Sequence, residues 1–165
     1  MTEIPIKREG DPRKEGSTFP AALRDRAKAD AERLLKAPRW RKLAGNEIKR
    51  EKGELRRTAK QLHLDYASLE QAFTNAQVES LSSGDWEAMT NTDSRGKWTK
   101  ERVIAHIGSK RDHAKIFRGL ENGKELPAPV VLFRADTPPY LIGGNTRLMA
   151  CKALQIQPRV LAVRI

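Results

Sequence analysis

YLIGGNTRLMACKALQIQPRVLAVRI, residues 140–165, is the stretch on which the fold turns. Tyr140-Leu141-Ile142 predicts a strand and Gly143-Gly144 a tight turn. A short helix follows, then a break marked by Pro158 and a second apolar strand from Val160 to Ile165. Two strands joined through a helix of this length predict a βαβ-like unit, with the chemistry at the turn.

The two glycines lack a Cβ, so they accept positive φ and let another molecule approach the backbone. Asn145 or Thr146 is then placed to cap a helix whose first N–H groups and positive dipole end suit an anion. Arg147 in the first turn adds a planar fork of donors that matches a phosphate. Leu148, Cys151 and Leu154 repeat at spacings of three and predict the buried face, flanked by Met149, Ala150 and Ala153. The same residues also suit a plain strand-turn-helix corner in which the glycines serve the turn and Arg147 is solvated.

Gly143-Gly144-Asn145-Thr146-Arg147, with a strand before it and a helix and strand after it, resembles the Gly-x-x-Arg signature of the ParB/sulfiredoxin superfamily. Asn122 to Phe133 is similar to the lead-in of these domains, where a helix ends, a proline pair follows and an apolar strand begins. Asn91-Thr92-Asp93-Ser94 after a Trp, taken with Gly144 to Met149, resembles small phage- and prophage-type members. The likeness spans roughly residues 85–165, and its specific part is the last forty. It implies an α+β fold, a small mixed-sheet domain preceded by a basic helical segment, whose loop and helix start hold nucleotide phosphates. Asn145 stands where sulfiredoxins carry their catalytic cysteine, so reduction of a sulfinic acid is not implied. ParB partition proteins have an acid and a double arginine in this turn and further motifs downstream, so a CTP-gated clamp is not implied either.

Composition adds a second theme. The chain has 165 residues and a formal net charge of +11, which points to nucleic acid or another polyanion. Residues 1–60 hold 18 Lys or Arg against 10 Asp or Glu, so the first third is the electrostatic handle. The single cysteine, Cys151, cannot form an intramolecular disulfide and suggests a reducing, cytoplasmic setting. No apolar run approaches the ~18 residues of a membrane span, and no membrane partner is expected. His63, His106, His113 and Cys151 do not fall at zinc spacings.

In chain order, residues 1–18 read as a mobile basic arm, 19–80 as a basic helical segment, and 81–165 as the superfamily-like domain. A first helix is expected from near Pro20 to Lys36, with Thr18 as a cap and a thin stripe of Leu23, Ala27, Ala31 and Leu34. Arg39-Trp40-Arg41-Lys42 places an indole among cations, as a nucleic-acid contact would; Trp40 in a helix-helix contact is the other reading. Arg56 to Phe73 has the packing residues of a helix-turn-helix, with Arg56 and Arg57 at its start, a turn near His63 and a second helix capped by Asp65. Two core helices with a kink fit equally. Val78 to Met89 reads as a helix end, a Ser-Ser-Gly break and a new turn capped by Ser83 or Asp85. Thr99 to Leu120 predicts an amphipathic helix breakable at Gly108, with Lys110, Arg111 and Lys115 on a basic face.

Together these readings lead to a nucleotide-phosphate-binding protein acting on or beside DNA, as a nucleoside triphosphatase, phosphotransferase or nuclease. Gly143, Gly144, Asn145 and Thr146 cradle the phosphates, Ser94 donates to them and Arg147 stabilises their charge. Asp93 serves as general base or as the ligand of a Mg2+ bound with a nucleoside triphosphate. A non-catalytic DNA- or RNA-binding protein and a phage-type protein that inhibits a host protein are the rival classes. In the nucleic-acid reading Arg39, Trp40, Arg41, Lys42, Arg56, Arg57, Lys110 and Arg111 make the contacts.

Overall fold

Val130–Phe133 and Arg159–Arg164 run side by side in the middle of a mixed sheet. Their central residues are almost fully buried, which is why both read as continuous apolar runs. The computed structural model describes residues 20–35 and 37–165, in two units that divide between Leu35 and Lys36. The predicted arm, residues 1–18, and the Thr18 cap lie outside the described residues.

The first unit contributes helix α1 (Ala21–Leu35), matching the expected span. Its residues 20–31 are exposed, Leu23 among them. The second unit begins with β1 (Arg39–Arg41), α2 (Asn46–Leu62), α3 (Tyr66–Thr74) and β2 (Gln77–Ser80). It continues through α4 (Ser83–Ala88), α5 (Lys100–Ile107), a 3-10 turn (Gly108–Lys110) and α6 (His113–Glu121). The last elements are β3 (Glu125–Pro127), β4 (Val130–Phe133), β5 (Tyr140–Gly143), α7 (Asn145–Leu154) and β6 (Arg159–Arg164).

The sheet order is β2-β6-β4-β5, with β6 parallel to β4 and the outer pairs antiparallel. β5 and β6 are therefore not the neighbouring strands of a βαβ unit. The chain leaves β5, crosses through α7 and passes over β4 to pair on its far side. β4 and β6 carry the longest apolar runs, and the parallel pairing buries both together.

Helices cover both faces of this sheet. On one, Leu148, Met149 and Cys151 of α7 join Val103 and Ile107 of α5, Phe117 and Leu120 of α6, and Trp86 of α4. On the other, Leu55 and Ala59 of α2 and Leu69 and Phe73 of α3 pack with Val130, Leu132, Ile142, Leu161 and Val163. Each fully buried Leu or Phe contributes about 1.5–3 kcal/mol. The boundary expected near residue 81 is thus not a packing boundary: α2, α3 and β2 belong to the same core as the C-terminal elements. The Arg56 to Phe73 segment is two core helices. Asp65 caps α3 by accepting from Ser68 N at 2.9 Å, as the sequence predicts, and His63 takes the left-handed conformation (φ 55°) that ends α2.

Two further expectations change. Residues 77–80 form an edge strand instead of a helix end, because pairing with β6 fixes their backbone. Ser82, and not the predicted Ser83 or Asp85, caps α4 by accepting from Asp85 N. Trp40 lies in β1, which pairs in parallel with β3 in a separate two-stranded sheet, so its indole packs from a strand and not from a helix. Gly108 (φ 58°) does divide the long amphipathic run into α5 and α6, and Thr99 caps α5 through Arg102 N at 3.2 Å.

Candidate phosphate-binding cavity

Between β5 and α7 the backbone turns on Gly144, which has φ 99°. A Cβ there would lie 2.6 Å from Pro129 Cβ and 2.7 Å from its Cα, so only glycine lets the turn rest on Pro129. Gly144 is also the N-cap, in place of the predicted Asn145 or Thr146, and no side chain caps the helix. Gly143 to Arg147 line a cavity of about 820 Å³, and the positive end of the α7 dipole lies in its wall.

Asn145 is engaged elsewhere. Its Oδ1 accepts from Thr92 Oγ1 at 2.7 Å and from Asp93 N at 3.0 Å, while Nδ2 donates to Asp93 Oδ2 at 2.9 Å. Because the Thr92 hydroxyl gives its proton to Asn145, Ser94 Oγ is the donor in its 2.8 Å contact with Thr92 Oγ1. Trp86 Nε1 donates to Ser94 Oγ at 2.8 Å and completes a one-directional chain from Trp86 to Asn145. One position earlier, Asn91 clasps the Leu141 backbone, donating to its carbonyl at 2.8 Å and accepting from its N–H at 2.9 Å. The polar loop 91–94 holds the turn in place.

That assignment corrects two expected roles. Ser94 is fully buried and its hydroxyl is committed on both sides, so it is not a phosphate donor. Asp93 is exposed, does not line the cavity, and faces the Asn145 amide and His106 Nε2 at 3.5 Å. Among the described residues no group of three His, Cys, Asp or Glu side chains is arranged to hold a metal. Asp93 positions Asn145 and is not a base in the cavity.

Arg147 folds back beneath the turn. Its Nη1 donates to the Pro127 carbonyl, tying α7 to β3. Burial lowers its pKa from the ordinary value, while nearby Glu51 and Glu47 act in the opposite sense. Behind it, burial pushes the Cys151 thiol up to about 12, so this cysteine is inert packing.

Glu51 escaped the sequence reading. It is 7% exposed, and a Cβ on Gly143 would fall on its carboxylate, 2.8 Å from Cδ. Burial raises its pKa above the usual carboxylate value, with Arg147 as the main opposing charge. The signal was present: Glu51 stands four residues before Leu55 on the stripe that continues through Thr58, Ala59 and Leu62, an acid where a core residue belongs.

The cations divide into engaged and unengaged. Arg41 makes a two-pronged pair with Glu47 at 2.7 and 2.6 Å, Arg57 pairs with Glu54 at 3.2 Å, and Arg56 stacks over Tyr66 at 5.2 Å. The ion pairs among the described residues leave Arg50, Arg111 and Lys115 unengaged at the cavity wall. Arg39 and Lys42 are exposed outside it and Trp40 is half-buried. Lys110 ends the 3-10 turn, and its side chain lies outside the described part.

The Arg41–Glu47 pair carries a pH signature. Arg41 holds the Glu47 carboxyl below its ordinary value of 4.5, so the pair's contribution is fully present above that value and is lost as the pH falls through the lowered one. We expect Glu47→Gln to cost up to about 1 kcal/mol at pH 7, since the pair is a third exposed. The difference should shrink towards pH 3, as read from urea midpoints at the two pH values.

Comparison with protein-family models, with curated proteins and with solved structures finds no match for this chain.

Proposed function

We infer that the chain binds a nucleotide by its phosphates at the start of α7. The observation that carries this reading is an uncapped ten-residue helix behind two glycines, opening into a cavity whose wall holds three cations, Arg50, Arg111 and Lys115, that no ion pair among the described residues engages. Helix N–H groups, a dipole and guanidinium groups are the elements that recognise phosphate. In this reading Gly143, Gly144, Thr146 and the backbone of Asn145 cradle the phosphates. Arg50, Arg111 and Lys115 neutralise them, and Arg147 holds the cradle's floor. The resemblance to ParB/sulfiredoxin domains supports the same assignment, with Mg2+ accompanying the nucleotide.

Action on or beside DNA belongs to the same proposal. Five basic and five acidic side chains line the cavity, so the +11 surplus is carried elsewhere. An exterior of that charge favours a polyanion such as DNA, while the balanced interior favours a small ligand.

Calorimetric titration with ATP, CTP and GTP in Mg2+ tests the cavity. Saturable binding is expected, and replacing Arg50 and Arg111 together by Ala should weaken it by about 10–100-fold, the equivalent of one lost charge-assisted hydrogen bond. Failure of every nucleotide to bind overturns the reading. On duplex DNA, log affinity should fall by ~0.9 per contacted phosphate per log unit of salt, and a flat response removes DNA from the proposal.

A further inference from the structure

Phosphate binding alone leaves one buried charge without a role. Glu51 leaves α2 towards the β5–α7 turn and lines the cavity. Its Oε2 is buried with no hydrogen-bond partner, and no ion pair among the described residues engages the carboxylate. Buried carboxylates are ordinarily paired or hydrogen-bonded, because neither water nor the protein otherwise replaces the lost solvation. Here the cavity itself is where a partner enters.

That partner is positive. A phosphate at the α7 N-terminus lies beside Glu51, since Gly143 contacts the carboxylate and Gly144 is the helix cap. Two bare anions so placed repel, and the repulsion is stronger in a partly dehydrated pocket than in water. A cation shared between them reverses the sign. The equal numbers of acidic and basic side chains in the lining point the same way, towards an occupant of mixed charge.

We propose that the cavity takes a nucleotide phosphate as its divalent-metal chelate, with Glu51 as the protein oxygen ligand of the metal. Magnesium is suited to this arrangement, because it keeps several waters and is bound by one or two carboxylates together with substrate phosphates. Glu51 is a single carboxylate, so the metal arrives with the phosphate and not before it. Gly143 has a structural reason here: any side chain would occupy the carboxylate's place and move the ligand off the metal.

The inference rests on the nucleotide reading of the cavity, and the test separates the two. The full chain and its Glu51→Gln variant are titrated calorimetrically with ATP in EDTA and with ATP in Mg2+, with Glu51→Ala as a second variant. For the native chain, Mg–ATP should bind at least tenfold more tightly than metal-free ATP. In both variants the ratio should fall below about twofold, chiefly because metal-free ATP binds more tightly once the carboxylate is gone. Equal native binding with and without metal, or full metal dependence in Glu51→Gln, overturns the metal role and leaves the phosphate site standing. Where ATP does not bind the native chain, CTP and GTP are titrated in the same way, and absence of binding for all three with and without metal overturns the nucleotide reading, and the inference with it.

Discussion

Gly144→Ala should destabilise the second unit by about 3–5 kcal/mol, the sum of a strained positive φ and an overpacked contact. The added methyl would meet Pro129 Cβ at 2.6 Å and its backbone Cα at 2.7 Å, and a proline backbone cannot rotate aside as a side chain tip can. For a domain of this size the loss corresponds to a fall in Tm of about 8–15 °C. Thermal unfolding followed by circular dichroism checks it, with Gly53→Ala as the contrast. Gly53 lies inside α2 with nothing near its missing Cβ, so Ala there should be neutral or stabilising by about 1 kcal/mol through helix propensity. Equal Tm changes at the two glycines would mean that the turn does not rest on Pro129.

Arg147→Ala is expected to cost about 2–4 kcal/mol and to remove nucleotide binding. Both effects come from the same neighbourhood. The guanidinium satisfies the Pro127 carbonyl and is the principal positive charge opposing the desolvation of Glu51. Removing one member of a buried charge neighbourhood leaves the other uncompensated. Glu51→Gln should therefore rescue a large part of the Arg147→Ala loss, and a double-mutant cycle in urea measures the coupling. Strict additivity would show that the two charges do not sense each other. An Arg147→Ala chain of full stability would place the guanidinium in solvent, as in the plain-corner reading of the turn.

The elements with the longest apolar runs were legible from residues alone. Val130–Phe133 and Arg159–Arg164 are central strands buried on both faces, and their composition says so. The Asp65 cap and the break at Gly108 were also legible, because each is decided by its own side chain or its absence. β1 and β2 were not. Arg39–Arg41 and Gln77–Ser80 hold one strongly apolar residue each, and what makes them strands is a distant pairing partner. Pairing order failed for a related reason: adjacency in sequence says nothing about β4 entering between β5 and β6.

At the site the glycine turn was visible and its surroundings were only partly so. Asn145, Asp93 and Ser94 have the residue types of a catalytic cluster, but their polar groups are spent on one another and on Thr92 and Trp86. Residue type reports capacity for hydrogen bonding and is silent on whether that capacity is already used. Glu51 was hidden for the opposite reason, as an acid in a helix so rich in charge that one more looked solvated.

The clasp of Asn91 on Leu141 has a consequence for how these molecules behave together in solution. β5 is an outer strand, and its unpaired amides would form a template on which another chain's strand could add. A side-chain amide bonded to both the N–H and the carbonyl of Leu141 imitates one residue of a neighbouring strand and then goes no further. Docking at the middle of this margin is thereby blocked from within the molecule. The carboxamide that supplies this block sits in a loop whose other groups hold the turn.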